Sequence, residues 1–199
     1  MQPADTAISA ILLAAGLSRR MGEDKLNLTY HGTTLLQCAL DLLEELPVQE
    51  KILVTTKARL DMILLPPGVR AVINTCPESG QSGSVRLGLE AASGSSYLFL
   101  TADQPRLSAY DLHALIDAAN RNSNSIIYPV IGGKPCSPTL FPALFREELL
   151  ALTGDVGGKM VRDAHPEKCI EVEPEFPGNF HDIDNAEDYQ AFYSYDVKL

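Results

Sequence analysis

The chain has 199 residues, 45% of them hydrophobic and 21% charged, with a formal net charge of −10. That size and apolar content fit one domain, or a domain with a subdomain, and exclude wholesale disorder. The acidic excess argues against a nucleic-acid-coating or membrane-surface protein, whose phosphate partners demand a basic face, so any small phosphorylated ligand must be met where the few positive groups gather.

Residues 1–6 lack the basic start of a signal peptide. The apolar run 7–14 is too short to span a bilayer and reads as a fully buried strand. Residues 34–46 carry Leu35, Leu36, Ala39, Leu42, Leu43 and Leu46 at helical spacing, with Asp41, Glu44 and Glu45 off that face. Further strands are expected at 51–56, 69–74, 97–101, 125–130 and 168–172. Further helices are expected at 82–92, 109–120, 142–152 and 185–193, with Ser108 and Asn185 as N-caps. Strands alternating with helices predict α/β architecture on a mainly parallel sheet, in a single domain over 1–199. The weaker alternation around 132–160 reads as a lobe inserted near the end of the fold. Cys38, Cys76, Cys136 and Cys169 include no Cys-x-x-Cys pair and match no disulfide scaffold or zinc site. They read as reduced, mostly buried thiols of a cytoplasmic protein. His31, His113, His165 and His181 show no ligand spacing.

After the first strand comes Leu13-Ala14-Ala15-Gly16-Leu17-Ser18-Arg19-Arg20-Met21-Gly22, then Lys25. Small residues at 14–16 leave backbone open to close approach by a base or phosphate. Arg19, Arg20 and Lys25 gather three of the sixteen basic residues beside them. The spacing is neither that of a P-loop nor of a Rossmann fingerprint. On these grounds alone a Gly-containing turn with a solvated basic patch is an equal reading.

The strand at 97–101 runs into Ala102-Asp103-Gln104-Pro105. In an open α/β sheet, ligands sit beyond the carboxyl ends of strands, and one such carboxylate suffices to join Mg²⁺ to phosphate oxygens. A turn cap is the competing reading. Segment 79–84 opens a helix with Ser82 and Ser84, hydroxyls suited to a base, a ribose or helix capping. Between 171 and 188 every charged residue is acidic. Asp182-Ile183-Asp184 reads as a short strand with both carboxylates on one face.

The run Leu-Ala-Ala-Gly-x-Ser-x-Arg-Met-Gly-x-x-Lys, residues 13 to 25, resembles the signature of the MobA-like nucleotidyltransferases. Asp103-Gln104-Pro105 matches that family's Asp-x-Pro. Asp182-Ile183-Asp184 matches the closing motif of its molybdenum cofactor cytidylyltransferase branch, with Ala186 in place of Pro. The resemblance implies a three-layer α/β/α fold of the nucleotide-diphospho-sugar-transferase type, Rossmann-like in its βα order. It implies an enzyme that transfers CMP from CTP to the phosphate of molybdopterin and releases pyrophosphate, and that hands its product to a client molybdoenzyme. Leu13, Ala14, Ala15, Gly16, Ser18, Arg20 and Lys25 would contact the nucleotide, with Ser82 and Ser84 facing base or ribose. Arg20, Lys25 and Asp103 would carry catalysis. Arg19, at an open position of the motif, would be more exposed. Mg²⁺, or Mn²⁺ in its place, would sit on Asp103 with Asp182 or Asp184.

Leu-Ala-Ala-Gly resembles the cytidine branch; the guanylyl branch shows Leu-Ala-Gly-Gly. Ser137 stands where the cytidylyltransferases have His of Gly-His-Pro, and Lys159 ends a segment similar to Gly-Asp-x-Gly-Ala-Arg. Both are acceptor-side candidates, and Lys159 reads equally well as a surface residue of a helix. The changed residues keep a sugar phosphate or other phosphorylated acceptor open, and a non-catalytic cofactor carrier is the alternative from another class.

Overall fold

The computed structural model describes residues 7–17 and 24–196, the last four by backbone only. Strand β1 (Ile8–Ala14) leads through a small hairpin, β2 (Thr29–Tyr30) and β3 (Thr33–Thr34), into α1 (Leu35–Glu45). Next come β4 (Glu50–Thr55), the single-turn α2 (Lys57–Leu60), β5 (Val69–Ile73), α3 (Gln81–Ala91), β6 (Ser96–Thr101) and α4 (Ala109–Arg121). The chain continues with β7 (Ile126–Ile131), β8 (Lys134–Pro135), β9 (Thr139–Pro142), α5 (Arg146–Leu150), α6 (Lys159–Ala164), β10 (Cys169–Val172) and α7 (Ala186–Asp196).

Side-chain caps set the starts of α1, α4 and α7. Thr34 Oγ1 accepts the Gln37 N–H at 3.1 Å, and Ser108 and Asp111 form a reciprocal capping box on α4. Asn185 Oδ1 accepts the N–H groups of Glu187 and Asp188 at 2.9 and 3.0 Å, opening α7 as the sequence predicts.

The main sheet runs β5-β4-β1-β6-β9-β7-β10, with β8 added to β7. β5, β4, β1 and β6 are parallel, as are β7 and β10. β9 is antiparallel to both β6 and β7. Period-two alternation sends successive side chains into two different cores. From β1 and β6, Ala10, Leu12, Leu98 and Leu100 meet α1 and α4 through Leu36, Leu40, Leu43, Leu112 and Leu115. Ile11, Tyr97 and Phe99 meet α3 and α5 through Val85, Leu89 and Leu149. Strands buried on both faces explain why these runs are almost wholly apolar. Gly88 lets α3 lie close to the sheet, since a Cβ there would sit 2.5 Å from Ile11 Cγ2.

Three expectations are corrected. Residues 142–152 are not one helix: β9 ends at Pro142, a 3₁₀ turn follows, and only Arg146–Leu150 is α-helical. Leu140 and Phe141, just ahead of the expected helix, are buried in the sheet between β6 and β7, so the chain enters Pro142 as strand. Asp182-Ile183-Asp184 joins no ladder; Ile183 is buried beside Leu35 and Phe192, and its N–H donates to the Asp103 carbonyl at 2.9 Å. The four cysteines are all free thiols, but none is fully buried and Cys76 is exposed. Among the described residues no helix is long and apolar enough to cross a membrane.

Candidate nucleotide site

The carboxyl ends of β1, β4 and β6 stand level, because Ala14 pairs with Thr55 and Leu13 with Thr101. Everything that follows these strands therefore emerges along one edge. A cleft of about 530 Å³ opens there, lined by Leu13, Ala15, Gly16 and Leu17 from the first loop and by Lys25, Thr101, Asp103 and Asp184. Its far wall is the start of α3, with Gly80, Gln81 and Ser84, and the segment Gly154-Asp155. A cleft of this size at a strand edge is the expected seat of a small ligand.

Lys25 stands at the centre. Its Nζ donates to Asp103 Oδ2 at 2.6 Å and to the Ile183 carbonyl at 3.1 Å, and lies 3.6 Å from Asp184 Oδ1. Asp103 Oδ1, by contrast, is buried and has no hydrogen-bond partner; Thr101 Oγ1 and Gln104 Oε1 beside it share that condition. A buried carboxylate oxygen without a donor is costly, and a divalent cation is a partner that fits its charge. Among the described residues no three acidic, His or Cys side chains converge to hold a metal alone. Asp103 therefore suits Mg²⁺ or Mn²⁺ only where a ligand's phosphate oxygens and water complete the shell.

Asp182 lies close enough to feel the charges of Asp103, Asp184 and Lys25. Although part of the residue faces solvent, surrounding protein strips water from its carboxyl, and Asp103 and Asp184 repel its charge. Lys25 and a hydrogen bond from Gln104 offset this only in part, so its pKa is pushed up to about 7. Gln104 ties the segments together. Its Nε2 donates to the Phe180 carbonyl at 2.9 Å and the Ser137 carbonyl at 3.1 Å, spanning the closing segment and the turn before β9.

The α3 wall is built against the 154–158 segment. Gly80, at φ +95, allows the contact, since a Cβ there would lie 2.5 Å from the Gly154 backbone. Ser82 N–H and Oγ both donate to the Gly154 carbonyl, at 3.3 and 2.7 Å, and the Gln81 N–H donates to Asp155 Oδ1 at 3.3 Å. Asn74, buried, donates to Ser84 Oγ at 3.0 Å and so aims that hydroxyl.

The structure brings Leu13, Ala15, Gly16, Lys25, Ser84, Asp103 and Asp184 to the cleft. Ala14 stands behind its wall, with its carbonyl held from the β4 side. Ser82 is buried with its hydroxyl committed to Gly154. Asp182, Ser137 and Lys159 do not line the cleft; Lys159 is exposed at the start of α6. Ser18, Arg19, Arg20, Met21 and Gly22 lie outside the described residues. Sequence reasoning missed Thr101, Gln81, Asp155 and above all Arg59, which is buried against the first loop. The signal was available for Arg59: it follows β4, and a basic residue just past that strand shares the edge where the first loop emerges.

The profile of the MobA-like NTP transferase domain matches residues 10–169. The chain belongs to the MobA-like NTP transferase family. A curated relative named "Probable molybdenum cofactor guanylyltransferase", from Rhodopirellula baltica, is 36% identical over 59% of this chain and 58% of its own length. The match to that relative thus spans little more than half of it. The "Purine catabolism protein PucB" of Bacillus subtilis is 30% identical over 90% of this chain and 92% of its own length. Among solved structures, a nucleotidyl transferase from Methanothermobacter thermautotroptrophicus superposes with a TM-score of 0.83 at 23% identity, covering 98% of this chain and 99% of that one. A Mycobacterium tuberculosis protein solved in complex with manganese gives 0.73 at 22% identity, over 95% and 99% of the two chains. These structures share the nucleotide-diphospho-sugar-transferase fold with this chain.

Proposed function

We propose that this MobA-like nucleotidyltransferase transfers CMP from CTP to the terminal phosphate of molybdopterin. An oxygen of the acceptor phosphate attacks the α-phosphorus of the nucleotide. A new P–O bond forms as the bond to the β-phosphate oxygen breaks, and pyrophosphate leaves. The observation that carries the reading is the buried, partnerless Asp103 Oδ1 beside Lys25, at the strand edge where the family motif lies.

Within this reading the loop at 13–16 offers backbone to the nucleoside, and Lys25 offsets triphosphate charge. Ser18 and Arg20 take their motif roles as nucleotide contacts. Asp103, with Asp182 or Asp184, would hold Mg²⁺ or Mn²⁺, which supplies charge neutralisation at the phosphates when bound. Ser84, aimed by Asn74, would face base or ribose, while Ser82 would act through the 154–158 wall. Ser137 and Lys159 would meet the acceptor, with the product passing to a client molybdoenzyme in the cytoplasm. Positioning and electrostatics would supply most of the rate enhancement, as in other phosphoryl transfers.

GTP is the second reading, favoured by the name of the 36%-identical relative. Leu-Ala-Ala-Gly favours CTP. A pyrophosphate-release screen of CTP, GTP, ATP and UTP against molybdopterin decides it. Release with CTP and molybdopterin, and none with sugar 1-phosphates, is the expected outcome. Preference for GTP would overturn the base assignment, release with sugar phosphates would overturn the acceptor, and no release with any pair would favour a carrier.

A further inference from the structure

Arg59 belongs to none of the motifs, yet its guanidinium holds the first loop at Ala14, Gly16 and Asp24. It sits in α2, and its side chain is 7% exposed. We infer that Arg59 is a positioning residue that closes the nucleotide loop across its two ends; the inference rests on the nucleotidyltransferase reading of that loop.

The geometry is specific. Nη1 donates to the Ala14 carbonyl and Nη2 to the Gly16 carbonyl, each at 2.6 Å. Nε and Nη2 grip the two oxygens of Asp24 at 2.7 and 2.8 Å. Ala14 and Gly16 stand where the chain leaves β1, and Asp24 stands where the loop returns. One planar fork therefore ties departure to return, a task the point charge of Lys cannot reproduce.

Both ends carry a consequence into the cleft. Asp24 Oδ1 also accepts the Leu26 N–H at 3.2 Å, capping the turn that begins with Lys25. The position of Lys25, and with it the 2.6 Å contact to Asp103, is thus inherited from Arg59. At the other end, a trans peptide places each carbonyl opposite the next N–H. Anchoring the Gly16 carbonyl on Arg59 turns the Leu17 N–H away from it, and Leu17 lines the cleft. Arg59 itself does not line the cleft, so it acts through these groups.

A merely structural ion pair would behave differently. Buried pairs replaced together cost little, whereas removing one partner strands a charge. The test therefore uses Arg59→Met combined with Asp24→Asn, which removes both charges, and Arg59→Lys, which keeps charge without the fork. The readouts are thermal unfolding, calorimetric binding of a non-hydrolysable CTP or GTP with Mg²⁺, and the split between KM and kcat. Both variants are expected to unfold cooperatively. Triphosphate affinity should fall on the order of tenfold or more, with KM rising more than kcat falls, and Arg59→Lys should recover only part. A folded double variant that binds the triphosphate like wild type overturns the inference.

Should the double variant not fold, amide exchange decides. Asp24→Asn is expected to speed exchange at Leu26 while leaving β1 unchanged, and equal exchange at Leu26 overturns the inference. A wild-type protein that binds no triphosphate overturns the nucleotide reading as well. Wild-type binding with an unimpaired variant overturns the role of Arg59 alone.

Discussion

Glu50 and Asp103 are carboxylates at opposite ends of the parallel strands β4, β1 and β6. Glu50 opens β4 beside Ser9, and Asp103 follows β6 beyond the Leu13–Thr101 pair. Glu50 is surrounded by donors. The Ser9 hydroxyl bonds it, the Ser93 N–H and hydroxyl reach it at 2.7 and 3.0 Å, and Arg70 lies 3.6 Å away. Burial alone would raise its pKa, but these hydrogen bonds and the Arg70 charge outweigh burial and hold it below 4.5. Asp103 has Lys25 on one oxygen and nothing on the other, which is buried. A carboxylate with donors on both oxygens is finished by the fold; one with a buried oxygen left over awaits a ligand. The two ends of the sheet divide stability from function on that basis.

The largest effect that would break the comparison is at Asp103. Asp103→Asn should lower pyrophosphate release on the order of 10²- to 10³-fold, the scale of losing one electrostatic group at a reacting centre. Its thermal midpoint should stay within a few degrees of wild type, roughly the shift expected for less than ~1 kcal/mol. Gly80→Ala sharpens the comparison by striking the cleft wall. Its positive φ and the 2.5 Å approach to the Gly154 backbone should cost about 3 kcal/mol in urea unfolding and weaken nucleotide binding together. Glu50→Gln should do the reverse of Asp103→Asn: a loss of about 1–2 kcal/mol of stability with turnover within twofold. A Glu50→Gln variant as inactive as Asp103→Asn would erase the distinction.

The smallest effect is in pH. The folded-state pKa of Glu50 is depressed, so its contribution to stability is present above the ordinary value of 4.5 and is lost as pH falls through the folded value. The stability difference between wild type and Glu50→Gln should shrink on acidification below that value. A difference that is constant with pH would remove Glu50's hydrogen-bonded charge from the account.

Contiguous features were legible in the sequence. The apolar run of β1, the loop at 13–16 with Lys25, and Asp103-Gln104-Pro105 each announce themselves within a few residues, and the structure gathers them at one cleft. The parallel sheet followed from the alternation of runs. What was not legible depends on distant pairs. β9 is only four residues long and becomes a strand through its pairing with β6 and β7. Arg59 looks like any surface Arg until β4 is placed beside β1, and Asp155 gains meaning only when Gly80 lets its segment close on α3. Ser137 and Lys159 were read from position in a motif, and the structure leaves both off the cleft lining.

The partnerless oxygen of Asp103 is proposed to anchor the metal–nucleotide complex. Titration of Mn²⁺, followed by electron paramagnetic resonance in the presence of a non-hydrolysable CTP, tests it directly. Wild type should bind Mn²⁺ tightly only when the nucleotide is present, and Asp103→Asn should lose that binding while remaining folded. Unchanged Mn²⁺ binding by folded Asp103→Asn would contradict the account.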